Sequence, residues 1–130
     1  MKKYTLFFFV VMTLAANANG DRLRVPAYLT CDRNEVTSWT GEVTSYMRKG
    51  GRLQLQVLTD AETLEHLLLK TESKNNLQRQ FYLDNTRFIK EQWNWLEDES
   101  GELNEPRFAT VWLCLDEKTL PVINWIKPVN

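Results

Sequence analysis

The chain is short of the residues that do chemistry on their own. It holds one histidine, His66, and two cysteines, Cys31 and Cys114, in 130 residues. No G-x-S-x-G elbow is present to set a serine nucleophile beside a base. Two isolated cysteines and one histidine make no zinc-ligand spacing, so neither a metal nor a cofactor is expected. An excess of one charge is lacking too. Sixteen basic residues stand against seventeen acidic ones, which argues against bulk nucleic-acid binding driven by phosphate neutralisation. Beyond the first twenty residues no apolar run is long enough to span a bilayer.

Those first residues carry their own pattern. Lys2 and Lys3 precede an apolar run from Leu6 to Ala16, and Ala16-Asn17-Ala18 has the A-x-A form of a cleavage site. Residues 1–18 therefore read as a secretory signal peptide. The competing readings are an N-terminal membrane anchor or a buried core segment. A lipoprotein is not expected, because Cys31 lies well beyond the apolar run and follows Tyr28-Leu29-Thr30. Removal of residues 1–18 leaves 112 residues, one domain's worth, with 14 basic against 17 acidic groups. The expected location is the periplasm or outside the cell. In such a compartment the default for Cys31 and Cys114 is a disulfide; two buried free thiols or one reactive thiol are the alternatives.

Residues 19–35 read as an irregular arm, and residues 36–130 as one domain. Its organising stretch runs from Trp39 to Asp60. Gly41, Val43, Ser45 and Met47 alternate along one face, and Leu53, Leu55, Val57 and Thr59 alternate again after a turn. Period-two alternation marks a half-buried antiparallel hairpin. A two-residue Gly50-Gly51 loop sets Met47 opposite Gln54 and mixes the faces. A three-residue loop, Lys49-Gly50-Gly51, sets Met47 opposite Leu53, Val43 opposite Val57 and Arg48 opposite Arg52, with Gly51 in the left-handed position. The three-residue loop is the expected one, between strands at Val36–Arg48 and Arg52–Thr59.

Residues 60–72 support two readings. Thr59-x-x-Glu62 matches a capping box, and Leu64, Leu67 and Leu68 have helical spacing, which would make the fold α+β. The strand reading is preferred, because a third strand completes a meander and a lone two-stranded ribbon is marginal. Residues 73–80 read as a loop, Phe81–Leu83 as a short strand and Asp84-Asn85 as a turn. Thr86 caps an expected helix from Arg87 to Glu97 with Ile89, Trp93 and Leu96 on one stripe. Phe108–Leu115 reads as a buried strand, and Val122–Ile126 as the last one.

The order is a three-strand meander, a helix and two strands. The chain thereby resembles the small OB-fold domains that bacteria export to the periplasm. The resemblance rests on T-G-E-V-T-S-Y, on R-L-Q-L-Q-V-L-T-D and on a helix placed before R-F-A-T-V-W-L-C-L-D. It implies a mostly β, partly open barrel in which the first and fourth strands are neighbours. A bond between Cys31 and Cys114 is feasible in that arrangement.

Candidate site residues follow. Arg48, Lys49 and Arg52 crowd the hairpin tip, where like charges across a strand pair repel and an anionic ligand relieves them; a charged tip that blocks edge pairing is the plainer explanation. Tyr46 and Trp39 can stack a sugar or a base. On a helix Trp95 lies about 200° from an inward Trp93, which makes it the expected exposed tryptophan and a partner anchor beside Glu97, Asp98 and Glu99. That acidic run lacks calcium-loop spacing, and a solvated loop explains it as well. His66, as the lone candidate base, reads as structural or exposed. The expected function is a non-catalytic binding module for an envelope or extracellular ligand, an anionic small molecule, a glycan or an envelope protein. An inhibitor or assembly factor is the alternative, and a small hydrolase a lesser one.

Overall fold

The computed structural model describes residues 24–129. Residues 1–18, which read as a signal peptide in the sequence, and the first residues of the arm lie outside them. Seven strands form one open mixed sheet: β1 (Val36–Lys49), β2 (Arg52–Thr59), β3 (Leu64–Lys70), β4 (Phe81–Leu83), β5 (Thr86–Arg87), β6 (Arg107–Cys114) and β7 (Val122–Ile126). Their order across the sheet is β3-β2-β1-β6-β7-β4-β5, antiparallel throughout except where β4 runs parallel to β7. Among the described residues helix is confined to two short pieces, α1 (Lys74–Gln78) and α2 (Trp93–Leu96), and to 3-10 turns.

The long strand β1 holds the sheet together by serving two partners. Its first half pairs with β6, from Val36 to Val43, and its second half with β2, from Gly41 to Lys49. Only residues 41–43 are flanked on both sides. There the strands approach so closely that a Cβ added at Gly41 would lie 1.9 Å from the Leu58 carbonyl oxygen.

The hairpin register corrects the expected one. The loop has two residues, with Lys49 opposite Arg52, Arg48 opposite Leu53 and Met47 opposite Gln54. Gly50 carries the positive φ of +59°, and Gly51 does not. Glycine at the first central position alone is the II′ pattern, which matches the strand twist. Val43 still pairs with Val57, because a bulge at Thr44 inserts one residue between Val43 and Ser45. The bulge turns the strand over. Gly41 and Val43 face inward before it and Tyr46 after it, while Met47 is 63 % exposed.

The segment between β3 and β6 differs most from expectation. Residues 64–70 are a strand, as preferred. Residues 73–80 contain α1, where Ser73 Oγ accepts from the Asn76 N–H and Leu77 is fully buried. The long helix over 87–97 is absent. Thr86 does not cap it but pairs with Leu83 around the Asp84-Asn85 turn, both of whose residues have positive φ. Phe88 is buried and Ile89 half exposed, so the expected stripe fails at its first position. The gain is an aromatic cluster. Phe88, Trp93 and Trp125 all pack on Phe81 at ring-centroid distances of 5.3–5.6 Å, an arrangement worth about 0.5–1.5 kcal/mol per pair beyond burial.

The main core lies on the inner face and joins Val43, Leu53, Leu55, Val57, Leu67 and Leu69 of the meander to Ala109, Val111, Ile123 and Trp125. A smaller cluster of Tyr82, Trp112 and Val122 is covered by Val25, Tyr28 and Leu29 of the arm. Cys31 is bonded to Cys114, Cα–Cα 6.1 Å, and so fastens the arm to β6.

Candidate functional site

The outward face of the meander is ordered in rows. Because strand neighbours lie about 4.8 Å apart, the register fixes what stands beside what. At the hairpin end Lys49, Arg52 and Lys70 form one row across β1, β2 and β3. Behind it come Met47, Gln54 and Leu68, then Ser45, Gln56 and His66. Two shallow clefts open here. One, of about 160 Å³, is lined by Met47, Lys49, Arg52, Gln54 and Leu68. The other, of about 340 Å³, shares Gln54 and Leu68 and adds Ser45, Gln56 and His66, with Leu55 and Leu67 as its floor.

The three cations are exposed, and the ion pairs among the described residues, Arg48–Glu97 and Arg107–Glu105, include none of them. Like charges placed directly opposite destabilise a sheet. The sequence suggested this clash for Arg48 and Arg52; in the structure Lys49 takes the place of Arg48, and Lys70 extends the row.

Arg48 and Tyr46 turn inward instead. The Glu97 carboxylate, 4 % exposed, accepts from Arg48 Nε at 2.5 Å, from Arg48 Nη2 at 2.7 Å and from the Tyr46 hydroxyl. Arg48 Nη1 also donates to the Gly50 carbonyl at 2.8 Å, and the guanidinium lies 5.1 Å from the Trp93 ring. The hydrogen bond to Glu97 holds the Arg48 guanidinium above its ordinary pKa. Burial, then the bond to Glu97, pushes the Tyr46 phenol far above its ordinary range. These groups form a lock between the hairpin tip and the loop after α2, with no exposed face for a ligand.

The expected acidic partner surface is reshaped by the same lock. Glu97 leaves the surface. Asp98 accepts from the Ser100 hydroxyl and from the Ser100 and Glu102 backbone N–H groups, which holds its carboxyl below the ordinary range. Glu99 remains exposed. Trp95 is less buried than Trp93, as expected, but it is half-buried and not an exposed anchor. It packs against the core, and the Arg107 guanidinium lies 3.8 Å over its ring while Arg107 Nη2 donates to the Trp95 carbonyl at 2.5 Å. Because α2 is a single turn, the angular argument from a long helix does not apply. Trp39 also leans on the core side and lines a separate cleft of about 330 Å³ with Ser38, Thr59, Asp60 and Thr63. It shares no platform with Tyr46, whose ring packs 5.9 Å from Trp125.

His66 is exposed, with Nδ1 3.4 Å from Gln56 Nε2. Ser45 stands in its row two strands away, about 10 Å, with Gln56 between them, so the two make no nucleophile–base pair. Asp116 lies close to the sulfurs of Cys31 and Cys114, but those are bonded to each other, and the Asp116 carboxylate accepts from the Lys118 and Thr119 N–H groups and the Thr119 hydroxyl.

Sequence reasoning missed Lys70, which enters the site only through the β2–β3 register, and the inward turn of Arg48, which depends on the bulge. Comparison with protein-family models, with curated proteins and with solved structures finds no match for the chain.

Proposed function

We propose that the chain is a non-catalytic binding module that takes an extended anionic ligand, such as an acidic glycan or a cell-wall fragment, across the outer face of β1, β2 and β3. The observation that carries this reading is the unpaired row of Lys49, Arg52 and Lys70 beside two contiguous clefts. Anion binding removes the mutual repulsion of the row, while Gln54, Gln56 and His66 offer hydrogen bonds to hydroxyls and Met47 and Leu68 an apolar wall. The strand order β3-β2-β1-β6-β7 is compatible with an OB-like domain, although the sheet is open and β4 pairs with the far side of β7; in the OB-fold the face of the second and third strands and the loop between the first two bind oligomers. This is an argument from fold, and fold alone does not fix function. Export to the periplasm or beyond belongs to the same reading; the leader pattern and the disulfide support it.

The test is an amide NMR titration of the oxidised protein with an oligouronate, a peptidoglycan fragment and a short oligonucleotide at low and moderate salt. The expected result is saturable shifts at Met47, Gln54, His66 and Leu68 with one of the first two, weakened by salt and abolished by K49E/R52E/K70E. Silence across the panel, or shifts that survive the triple reversal, overturns the reading.

A further inference from the structure

A second outward row crosses the sheet where β1 has neighbours on both sides. It runs Ile126–Phe108–Glu42–Leu58–Leu64, each residue directly opposite the next on β7, β6, β1, β2 and β3. Phe108 is 51 % exposed, Leu58 42 % and Leu64 50 %. At the Ile126 end the row opens into a largely apolar cleft of about 300 Å³ lined also by Pro106, Pro128 and Val129, with Arg107 and Lys127 also in its lining. Five strands make the row roughly 19 Å long. Scattered exposed apolar residues need no explanation, but a contiguous stripe of them marks an interaction surface.

The single charge in the stripe says what covers it. Glu42 is half-buried between Phe108 and Leu58 and belongs to none of the ion pairs among the described residues. A second copy related by a two-fold axis through the centre of the row would bring Glu42 against Glu42, a repulsive contact. A membrane would have to bury the carboxylate without a counter-charge. A polypeptide with one basic residue between apolar ones satisfies every position. Spacing chooses its form. Successive positions in the row are about 4.8 Å apart. Successive turns of a helix face are about 5.4 Å apart, whereas same-side residues of an extended strand are nearly 7 Å apart.

We infer that this stripe docks an amphipathic helix of a partner protein whose apolar face carries one Lys or Arg at its centre, paired with Glu42. The surface is separate from the cationic row and stands or falls independently of it.

The probe is a pair of stapled helical peptides of about 18 residues, identical except for Lys or Glu at the centre of a leucine face. The full chain is titrated with each, by amide NMR. The expected result is saturable shifts at Glu42, Leu58, Leu64 and Phe108 with the Lys peptide, affinity about tenfold or more weaker with the Glu peptide, and inversion of that preference in Glu42→Lys. Phe108→Ser, on the exposed face, should weaken both peptides and leave the spectrum otherwise folded. Equal affinity for the two peptides, or a preference unmoved by Glu42→Lys, overturns the inference. So do row shifts that follow dilution of the protein alone, which identify a second copy, or shifts with phosphatidylethanolamine–phosphatidylglycerol vesicles in place of the peptides.

Discussion

Arg48 and Glu97 illustrate how much one pair of side chains can decide in a sheet this small. Both are removed from water, with 11 % and 4 % of their side chains exposed. The desolvation of two ions offsets most of their attraction, so the pair adds little net stability over an apolar pair of the same volume; breaking it is another matter. Glu97→Ala leaves the guanidinium and the Tyr46 hydroxyl without their acceptor and is expected to cost about 3–5 kcal/mol in urea unfolding. Arg48→Met combined with Glu97→Leu and Tyr46→Phe should recover most of that loss. If Glu97→Ala instead costs about 0–1 kcal/mol, the pair behaves as a surface ion pair and the lock assigned to it does not exist. The same buried carboxylate explains why the acidic run misleads as sequence. Five acidic residues within Glu97–Glu105 look like one solvated loop, and no local pattern says that the first of them meets an arginine forty-nine positions earlier.

At the scale of elements, β1 and its turn carry the geometry, and three glycines are used in three different ways. A Cβ at Gly41 would meet the Leu58 carbonyl at 1.9 Å, one at Gly51 would meet Thr71 Oγ1 at 2.5 Å and Ser73 N at 2.6 Å, and one at Gly50 would meet nothing within 4 Å. Gly50→Ala therefore pays only for its left-handed backbone, about 1–2 kcal/mol. Gly41→Ala forces two strands apart where β1 is flanked on both sides, and its cost is expected at the top of the overpacking range, about 3 kcal/mol, or beyond it. Urea midpoints of the two variants test the order; equal losses would show that the crossing at Gly41 has room to relax. The two hairpin strands were legible from alternation, whereas the strand at 64–70 needed the meander argument. The pairing of Val43 with Val57 was reached through a loop one residue too long and holds only because the bulge makes up the difference. The bulge at Thr44 was not legible, because Gly41, Val43, Ser45 and Met47 continue an unbroken alternation straight through it. A bulge reverses the faces without any residue that demands it, so Tyr46 and Arg48 were placed outside. The helix over 87–97 failed for a related reason. Ile89, Trp93 and Leu96 satisfy a helical period, but Phe88 outcompetes Ile89 for the aromatic cluster around Phe81, and tertiary packing overrides local propensity. Both surface rows depend on pairing across three or more strands, information that no single stretch of sequence contains.

The whole molecule is closed by the contact between its first and last thirds. Cys31 and Cys114, 83 positions apart, tie the arm to β6, and the arm contributes more than a tether. Tyr28 stacks on Tyr82 at 3.7 Å, Arg87 lies 5.6 Å from the Tyr82 ring, and the Tyr28 hydroxyl donates to Asn85 Oδ1 at 2.9 Å. Burial, with the neighbouring Tyr82 as a lesser cause, pushes the Tyr28 phenol up to about 12 from 10.0. The sign of the linkage follows. A phenol whose folded pKa is raised favours the docked arm fully below pH 10 and loses that contribution as pH rises toward 12. In the chain-entropy account the bond itself contributes on the order of 4 kcal/mol by restricting the unfolded chain. Reduction, or Cys31→Ala with Cys114→Ala, is thus expected to lower urea stability by about that amount while the seven-stranded sheet persists at neutral pH. It should also free the arm to open on its own, because the described arm residues other than Cys31 are held only by side-chain packing and a few hydrogen bonds. Ultraviolet difference titration of the phenols separates these effects. In the oxidised protein the Tyr28 step should lie near pH 12; after reduction it should move back toward 10 with the sheet's amide spectrum unchanged. A Tyr28 step that stays near 12 in the reduced protein would mean that packing alone seats the arm, and that the disulfide acts only on the unfolded state.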